Sequence, residues 1–352
     1  GPRRAMSCPK CNSSLRMRKY PAMRAASLGC ADCLRKLETA ELERVDSRGT
    51  TALHLALQNG HIACAKLLVQ QTALKPTAAD AKGKTVAHFA AYGGQAEALT
   101  WIQADYAFKI GALETTSGQT PVHFAVSRGH LQCAALLCTP EFGGKPDAAD
   151  AHGITPVYLA AQLGQTECLQ WLLETCRVNP LAAATDGMTP AHAAAQGGRL
   201  AALAAVVTAA GKSPGAIADA DGATPVHFAA AKGRARCLWW LLGAGGVDGG
   251  GGASGNERDG IGATPVHDAA EQGQLAALEI LAHAGADLTP TDGDDLTPRK
   301  LALNGGHSAC AQFLAGASVR AATGQRAHVL SPERIAALEA DTDDDGPPPS
   351  PL

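Results

Sequence analysis

Aromatic residues are scarce in this chain, which has 6 Phe, 4 Trp and 4 Tyr among 352 residues. The abundance of small apolar residues favours closely packed helices over a β-sandwich or a β-barrel. No apolar run reaches the roughly 18 to 20 residues that a membrane helix needs. Residues 1–30 also lack the apolar stretch of a secretory signal. We therefore expect a helical, soluble, cytoplasmic protein with no membrane partner.

A strong net charge is also absent, since the formal charge is −3. The charges are unevenly distributed, because residues 1–48 carry 11 Lys or Arg against 5 Asp or Glu, whereas residues 256–352 carry 6 against 15. A nucleic-acid partner would need a basic stripe with aromatic residues for stacking. The basic segment RMRKY at 16–20 is too short for that role, so we expect no nucleic-acid partner.

Disulfide pairing and catalysis are disfavoured as well. The 11 cysteines are odd in number and scattered, which is typical of reduced thiols buried as small apolar residues. The sequence has no GxSxG elbow, Walker loop, HExxH motif or dinucleotide fingerprint. We therefore expect no enzymatic activity and no organic cofactor.

One pattern is repeated along most of the chain. A motif such as TPVHFAVSRGH, which starts at residue 120, occurs eight times. The glycines of successive copies are 34, 35, 35, 34, 35, 40 and 33 residues apart. The glycine of each copy, here named the anchor glycine, is Gly60, Gly94, Gly129, Gly164, Gly198, Gly233, Gly273 or Gly306. The period and the motif resemble the ankyrin repeat. With one degenerate first repeat, we expect an all-α ankyrin-repeat solenoid of about nine helix-turn-helix units with finger-like β-turns.

Each part of the pattern has a local physical role. The threonine hydroxyl is expected to cap the first helix, and proline follows where its missing N–H costs nothing. The anchor glycine permits a turn that side chains resist. Asp-Gly stretches such as residues 219–222 supply tight turns that project as fingers. Because no repeat can bury its apolar face alone, the units are stable only as a stack.

The repeats also set the expected domain boundaries. The array covers residues 20–318, and its degenerate first repeat covers residues 20–48. A glycine-rich insertion at 245–262 explains the 40-residue step, and we expect it to enlarge one finger. We expect a flexible basic N-terminus at 1–19 and a disordered, acidic and proline-rich tail at 319–352.

Cysteine and histidine each recur at one position of the repeat. A cysteine four residues after the anchor glycine is expected to be buried in the core, at Cys33, Cys64, Cys133, Cys168, Cys237 and Cys310. The motif histidines are His54, His88, His123, His192, His227 and His267. Neighbouring motif histidines are separated by one helix layer, about 10 Å, so no metal ion can collect three of them. We expect them to form hydrogen bonds between adjacent turns.

Two CxxC pairs, Cys8 with Cys11 and Cys30 with Cys33, have the spacing of a zinc site. Cys33 occupies the buried core position, however, and would have to leave it to bind a metal. Cys30 begins the same helix and is expected to be accessible, and the turn around Cys8 is a fair half-site for zinc. We therefore expect no bound cofactor and keep the four cysteines as an alternative zinc site.

Four stretches are idiosyncratic within the repeat class. They are CLQWLL at 168–173, TPVYLAAQLG at 155–164, DGMTPAHAAAQGG at 186–198 and ATPVHDAAEQGQL at 263–275. In these stretches and in their order, the chain resembles the ankyrin-repeat region of the espin and espin-like actin-bundling proteins, over about residues 20–315. The resemblance implies a protein-protein interaction module that binds an extended peptide from the tail of a class III myosin. It also implies a location at the actin cytoskeleton, in protrusions such as stereocilia and filopodia, with actin contacted only through regions outside this chain.

Two other functions stay open. The array could act as an intramolecular or self-assembly scaffold of a cytoskeletal protein, with its groove occupied in cis. It could also recruit substrates as an adaptor, for example in ubiquitin ligation, although no box motif follows the repeats. We expect a monomer.

In ankyrin stacks, the residue after the motif histidine and those before the anchor glycine face the concave groove. Large apolar residues there indicate partner contacts, and packing against the adjacent finger is the alternative. The predicted groove residues are Phe89, Tyr92, Phe124, Arg128, Leu159, Gln162, Leu163, Gln196, Phe228, Lys232, Asp268 and Glu271. The predicted acidic finger residues are Asp219, Asp221, Asp259, Asp292, Asp294 and Asp295. We expect these acids to meet Lys or Arg of the peptide, which sets register and association rate more than affinity.

Overall fold

The computed structural model describes residues 20–105, 109–243, 252–322, 330–331 and 333. These residues form helices and turns, with no strand beyond an isolated bridge between Ala79 and Thr85. None of the helices in this described part combines the length and apolar character that crossing a membrane requires. The chain divides into two compact units, unit 1 (Gly1–Pro156) and unit 2 (Val157–Leu352).

Helix pairs joined at the anchor glycines build unit 1. Its helices are α1 (Pro21–Ser27), α2 (Ala31–Leu34), α3 (Thr39–Leu42), α4 (Ala52–Gln58), α5 (Ile62–Gln71), α6 (Val86–Tyr92), α7 (Ala96–Asp105), α8 (Pro121–Ser127) and α9 (Leu131–Leu137). The first helices pack in the order α1, α4, α6, α8, while α2 packs against α5 and α7 against α9. The first helices and the second helices of the pairs therefore form two separate layers.

The same pairing continues in unit 2. The remaining helices are α10 (Pro156–Leu163), α11 (Thr166–Gln170), α12 (Pro190–Gly197), α13 (Leu200–Ala210), α14 (Pro225–Ala231), α15 (Ala235–Leu241), α16 (Pro265–Glu271), α17 (Leu275–His283), α18 (Pro298–Asn304) and α19 (Ser308–Ala322). A π-helix, Trp171–Thr175, continues α11. The first-helix layer runs through α12, α14, α16 and α18, and the second-helix layer through α11, α13, α15, α17 and α19. The last helix extends to Ala322, beyond the predicted end of the array at 318.

A capping box that uses histidine begins most first helices. At α6, the Nδ1 atom of His88 lies 3.1 Å from the backbone N of Thr85 and 3.0 Å from its Oγ1. The Nε2 atom of His88 lies 3.2 Å from the carbonyl oxygen of Gln119 in the next finger. Because a carbonyl only accepts, Nε2 carries the proton and Nδ1 accepts from the threonine. Five other repeats have this box, at Thr51, Thr120, Thr189, Thr224 and Thr264.

These contacts confirm the predicted hydrogen bonds between adjacent turns. They also refine the predicted cap, because the threonine hydroxyl meets the imidazole rather than the backbone N–H groups alone. The histidine therefore joins the start of its own helix to the finger of the following repeat, and this explains its recurrence without any catalytic role.

The anchor glycines satisfy both a backbone and a packing requirement. Gly94 has a φ of 72°, in the left-handed region that favours glycine. A Cβ atom at this position would lie 2.7 Å from Nδ1 of His130. That imidazole is held in place because its Nε2 lies 3.1 Å from the carbonyl oxygen of Tyr92. The turn is therefore left-handed, and the next repeat fills the space above it.

The core lies between the two helix layers and consists mainly of small residues. Ala90 and Ala91 of α6 are fully buried, as are Leu99 and Ile102 of α7. All six cysteines at the predicted core position are buried, which confirms that prediction. Burial raises the pKa of the thiols of Cys133 and Cys168 to about 11.

The fingers are four-residue turns, including the one that follows the insertion. In the finger Asp259–Gly262, the carboxylate of Asp259 accepts the N–H groups of Ile261 and Ala263 at 3.1 and 2.8 Å. The expectation that the insertion enlarges this finger is therefore wrong, since the additional residues precede it. Their described part returns towards α15, where Ala253 donates its N–H to the carbonyl oxygen of Leu241 at 3.1 Å.

Candidate partner-binding faces

Four predicted groove residues lie on the first-helix layer of unit 1 and are named the unit-1 face: Phe89, Tyr92, Phe124 and Arg128. The ring of Phe89 meets the ring of His54 edge-on, with centroids 4.8 Å apart. The ring of Phe124 meets His88 in the same way at 5.3 Å. Both phenylalanines stay partly exposed. Each ring therefore rests on the preceding repeat and still offers apolar surface.

Cationic groups lie over two rings of the unit-1 face. The Nζ atom of Lys84 is 5.0 Å from the centroid of Phe124, and the guanidinium carbon of Arg128 is 4.8 Å from that of Tyr92. Burial lowers the pKa of Lys84, with the charge of Asp80 acting in the opposite direction. Lys84 belongs to the finger of the preceding repeat. Part of the Phe124 ring therefore packs against that finger, which was the alternative to a partner contact. The result is an aromatic surface edged by positive charge.

Eight predicted groove residues form the unit-2 face: Leu159, Gln162, Leu163, Gln196, Phe228, Lys232, Asp268 and Glu271. The ring of Phe228 meets His192 edge-on at 5.4 Å and stays partly exposed. Lys232 and Glu271 are exposed, at the ends of the first helices α14 and α16. The unit-2 face thus places charged groups of both signs beside a half-buried aromatic ring.

Asp268 on α16 is the most unusual residue of the unit-2 face. It stands where other repeats have Leu55, Phe89, Phe124 or Phe228, and it is half-buried. Burial raises the pKa of its carboxyl to about 7, and the charges of Asp259 and Glu271 act in the same direction. Within the described part of the chain, no hydrogen bond or ion pair reaches this carboxyl. A positively charged partner group would relieve the repulsion.

The six predicted acidic finger residues fall into two classes. Asp219, Asp259 and Asp292 each accept the backbone N–H groups two and four residues further along, as in the 3.0 and 2.9 Å contacts of Asp219. Early fingers have the same turn, at Asp46, Asp80 and Asp150. The exposed class consists of Asp221, Asp294 and Asp295. The recurrence of aspartate at the first position of six fingers is the sequence signal for this structural role, and it agrees with the tight turns expected of the Asp-Gly stretches.

The structure describes two of the four cysteines of the alternative zinc site, Cys30 and Cys33. Cys30 caps α2 and is only 5% exposed, so the expectation that it is accessible is wrong. Cys33 is 3% exposed. Cys8 and Cys11 lie outside the described residues. Among the residues that the structure covers, no group of three or more His, Cys, Asp and Glu side chains could hold a metal ion.

Comparison with known families agrees with the repeat pattern and the helix pairs. A family model described as ankyrin repeats (3 copies) matches residues 22–112, 106–182 and 203–292, which is more than half of the chain. The chain belongs to the ankyrin-repeat family. Ankyrin repeats are protein-protein interaction modules, and this role agrees with half-exposed aromatic rings on a first-helix layer.

Several curated ankyrin-repeat proteins are similar to parts of the chain. Mouse synphilin-1 is 28% identical over 162 residues, which are 43% of this chain and 16% of that protein. The ankyrin repeat protein nuc-2 of Neurospora crassa is 29% identical over 143 residues, 40% of this chain and 13% of nuc-2. Ankyrin repeat domain-containing protein 53 of Macaca fascicularis is 30% identical over 154 residues, 42% of this chain and 24% of that protein. The chain thus spans less than a quarter of each relative.

Proposed function

We propose that the chain binds an extended segment of a partner protein through its first-helix layer. The observation that carries this proposal is the partial exposure of the rings of Phe89, Phe124 and Phe228, each supported from behind by a buried histidine. Held rings lose little side-chain entropy when a partner covers them. Within unit 1, the repetition of Phe89 and Phe124 at one position per repeat matches a peptide that runs along the first-helix layer of that unit.

The unfavourable environment of the Asp268 carboxylate also supports the proposal. A half-buried carboxyl with a raised pKa and two acidic neighbours is unfavourable in the free protein. Strained or destabilising groups are typical of binding surfaces, because activity and stability compete there. We propose that a Lys or Arg of the partner contacts Asp268, with Asp221, Asp294 and Asp295 assisting the approach of the positively charged segment.

By the resemblance to the espin and espin-like proteins, we propose that the partner segment comes from the tail of a class III myosin. The chain would then connect that motor to the actin cytoskeleton in the cytoplasm, as a monomer without enzymatic activity or cofactor. The phenylalanines and Asp268 supply the apolar and acidic contacts that a basic, extended peptide needs.

Calorimetry with a class III myosin tail peptide tests this function. The variants are Phe124→Ala, Phe228→Ala and the pair together, and the control is Ile261→Ala, since Ile261 is 70% exposed at a fingertip. We expect the double variant to bind at least about tenfold more weakly, in line with the loss of buried anchor residues. An affinity within about twofold of the wild type for the double variant would show that the assignment of these faces is wrong.

Light scattering during size-exclusion chromatography addresses self-assembly. We expect a single mass of one chain at all concentrations. A mass that increases with concentration in the absence of a partner would instead indicate that the faces bind another copy.

A further inference from the structure

Trp239 departs from the repeat pattern on the second-helix layer of unit 2. It lies on α15, six residues after Gly233. Four other repeats place an exposed residue at this position, namely Lys66, Thr100, Gln170 and Gln312. Trp239 is nevertheless only 7% exposed. A buried tryptophan at a position that usually faces solvent must be covered by something specific to these last repeats.

His283 supplies part of that cover. It ends α17, ten residues after Gly273, at a position that other repeats expose as Gln70, Ala104, Glu174 and Thr208. Its ring stacks on the indole of Trp239, with centroids 5.2 Å apart and an angle of 24° between the planes. Stacking of this kind fixes the direction in which the ring nitrogens point.

Leu330 meets the fixed imidazole from the far end of the chain. Its backbone N–H donates to Nδ1 of His283 at 3.1 Å, across 47 positions of sequence. Leu330 is 4% exposed, although it belongs to the region that the sequence predicts as a disordered tail. One residue thus combines a directed hydrogen bond with an apolar side chain that is removed from water.

We propose that Trp239 and His283 form a docking site for the chain's own Leu330 on the second-helix layer of unit 2. The two residues that depart from the repeat pattern are the two that stack, and the imidazole of that pair is what Leu330 contacts. A backbone N–H and a leucine side chain are features of an extended peptide. A leucine-bearing segment of another protein would have to displace Leu330 to use the site.

Amide hydrogen exchange of the full chain tests the proposal. The variant Trp239→Gln introduces a residue that other repeats carry at this position, and Glu333→Gln changes an exposed residue near Leu330 as a control. In the wild type and the control, we expect the amide of Leu330 to exchange at least about tenfold more slowly than in a free peptide. In Trp239→Gln it should exchange at the rate of the free peptide. Unchanged protection in Trp239→Gln, or no protection in the wild type, overturns the proposal.

A second measurement avoids dependence on the fold of the Trp239 variant. In Leu330→Ser the leucine side chain is removed while the sequence of every helix is kept, and a peptide of residues 326–335 is titrated at millimolar concentration while the ring protons of His283 are followed by NMR. We expect these protons to shift with the natural peptide and not with a peptide carrying serine at 330. Equal responses to the two peptides, including none, would show that the site does not select Leu330.

Discussion

At the scale of single residues, the capping histidines make stability sensitive to acid. Burial lowers the pKa of His88 from 6.5 to about 4 and lowers the pKa of the other five. Between these values the unfolded chain binds more protons, so this stability is complete above pH 6.5 and is lost as the pH falls towards 4. For His88 alone the loss is about 3 kcal/mol.

We expect the urea midpoint of the protein to fall between pH 7 and pH 4.5. His88→Gln should make the midpoint less dependent on pH, because one titrating group is removed. His152→Gln changes an exposed finger residue of the same unit and should leave the dependence unchanged. Identical pH profiles for the two variants would contradict the assignment to buried histidine.

Asp268 makes the opposite contribution. Its pKa in the folded protein is about 7, above the ordinary value of 3.8, so stability is lost as the pH rises from about 4 to 7. Asp268→Asn should therefore raise the urea midpoint at pH 8 and have little effect at pH 4. Glu271→Gln, at an exposed position of the same helix, is the control and should change the midpoint less. A pH-independent effect of Asp268→Asn would rule out titration as the cause.

The anchor glycines allow backbone strain to be separated from crowding. Gly94 and Gly306 have φ values of 72° and 76°, but a Cβ at Gly94 would meet His130, whereas nothing lies within 4 Å at Gly306. Gly306→Ala should cost about 1–2 kcal/mol for the left-handed backbone. Gly94→Ala should cost about 1–3 kcal/mol more because of the clash. Equal losses in denaturant unfolding would show that His130 moves aside.

At the scale of elements, the fingers divide the acidic residues into structural and exposed ones. Asp219→Ala removes two hydrogen bonds of its turn and should lower the free energy of unfolding by about 1–2 kcal/mol. Asp221→Ala in the same finger is the matched control and should change it by less than about 0.5 kcal/mol. For association with a basic peptide the order should reverse, with Asp221→Ala showing the larger loss of rate at low salt.

Local patterns explain which elements could be predicted. The first helices from α4 to α18 begin directly after the threonine of the motif, because capping depends on residues a few positions apart. The cation over Phe124 could not be predicted, since it requires the orientation of Lys84 in a finger of the preceding repeat. The pKa of Asp268 likewise depends on burial by neighbouring repeats. Sequence could identify the positions of the candidate faces but not the groups that lie against them.

At the scale of the whole molecule, the reactivity of buried thiols measures whether neighbouring repeats are packed together. Burial raises the pKa of Cys133 and Cys168 to about 11, and only the thiolate reacts quickly. We expect mass spectrometry to show both unmodified after brief exposure to a thiol reagent at pH 8, while half-buried Cys138 and Cys176 react sooner than these two. Adding urea below the unfolding midpoint should expose Cys133 and Cys168 together with their repeats. Rapid labelling in native buffer would contradict the packing described for the second helices.

The limits of sequence reasoning at this scale appear in the last described residues. Composition predicts disorder after 318, yet Leu330 is buried against α17. That contact joins residues 47 positions apart, and its histidine stacks on a tryptophan whose position in four other repeats is exposed. The repeat period and the composition cannot predict the contact between Leu330 and His283, because it forms only when the repeats are packed together.

In six repeats the histidine that joins the cap to the next finger makes the order of synthesis matter for folding. Its acceptor carbonyl lies 29 to 36 residues further along the chain, so a repeat that has left the ribosome stays incomplete until its successor has emerged. A nascent chain halted after one of these repeats would leave the imidazole N–H of that repeat without its acceptor. An unsatisfied buried donor of this kind lowers the free energy of unfolding. Lys300, exposed in the histidine position of α18, makes no such contact within the described part of the chain. The repeat that carries it therefore lacks this dependence on a later finger.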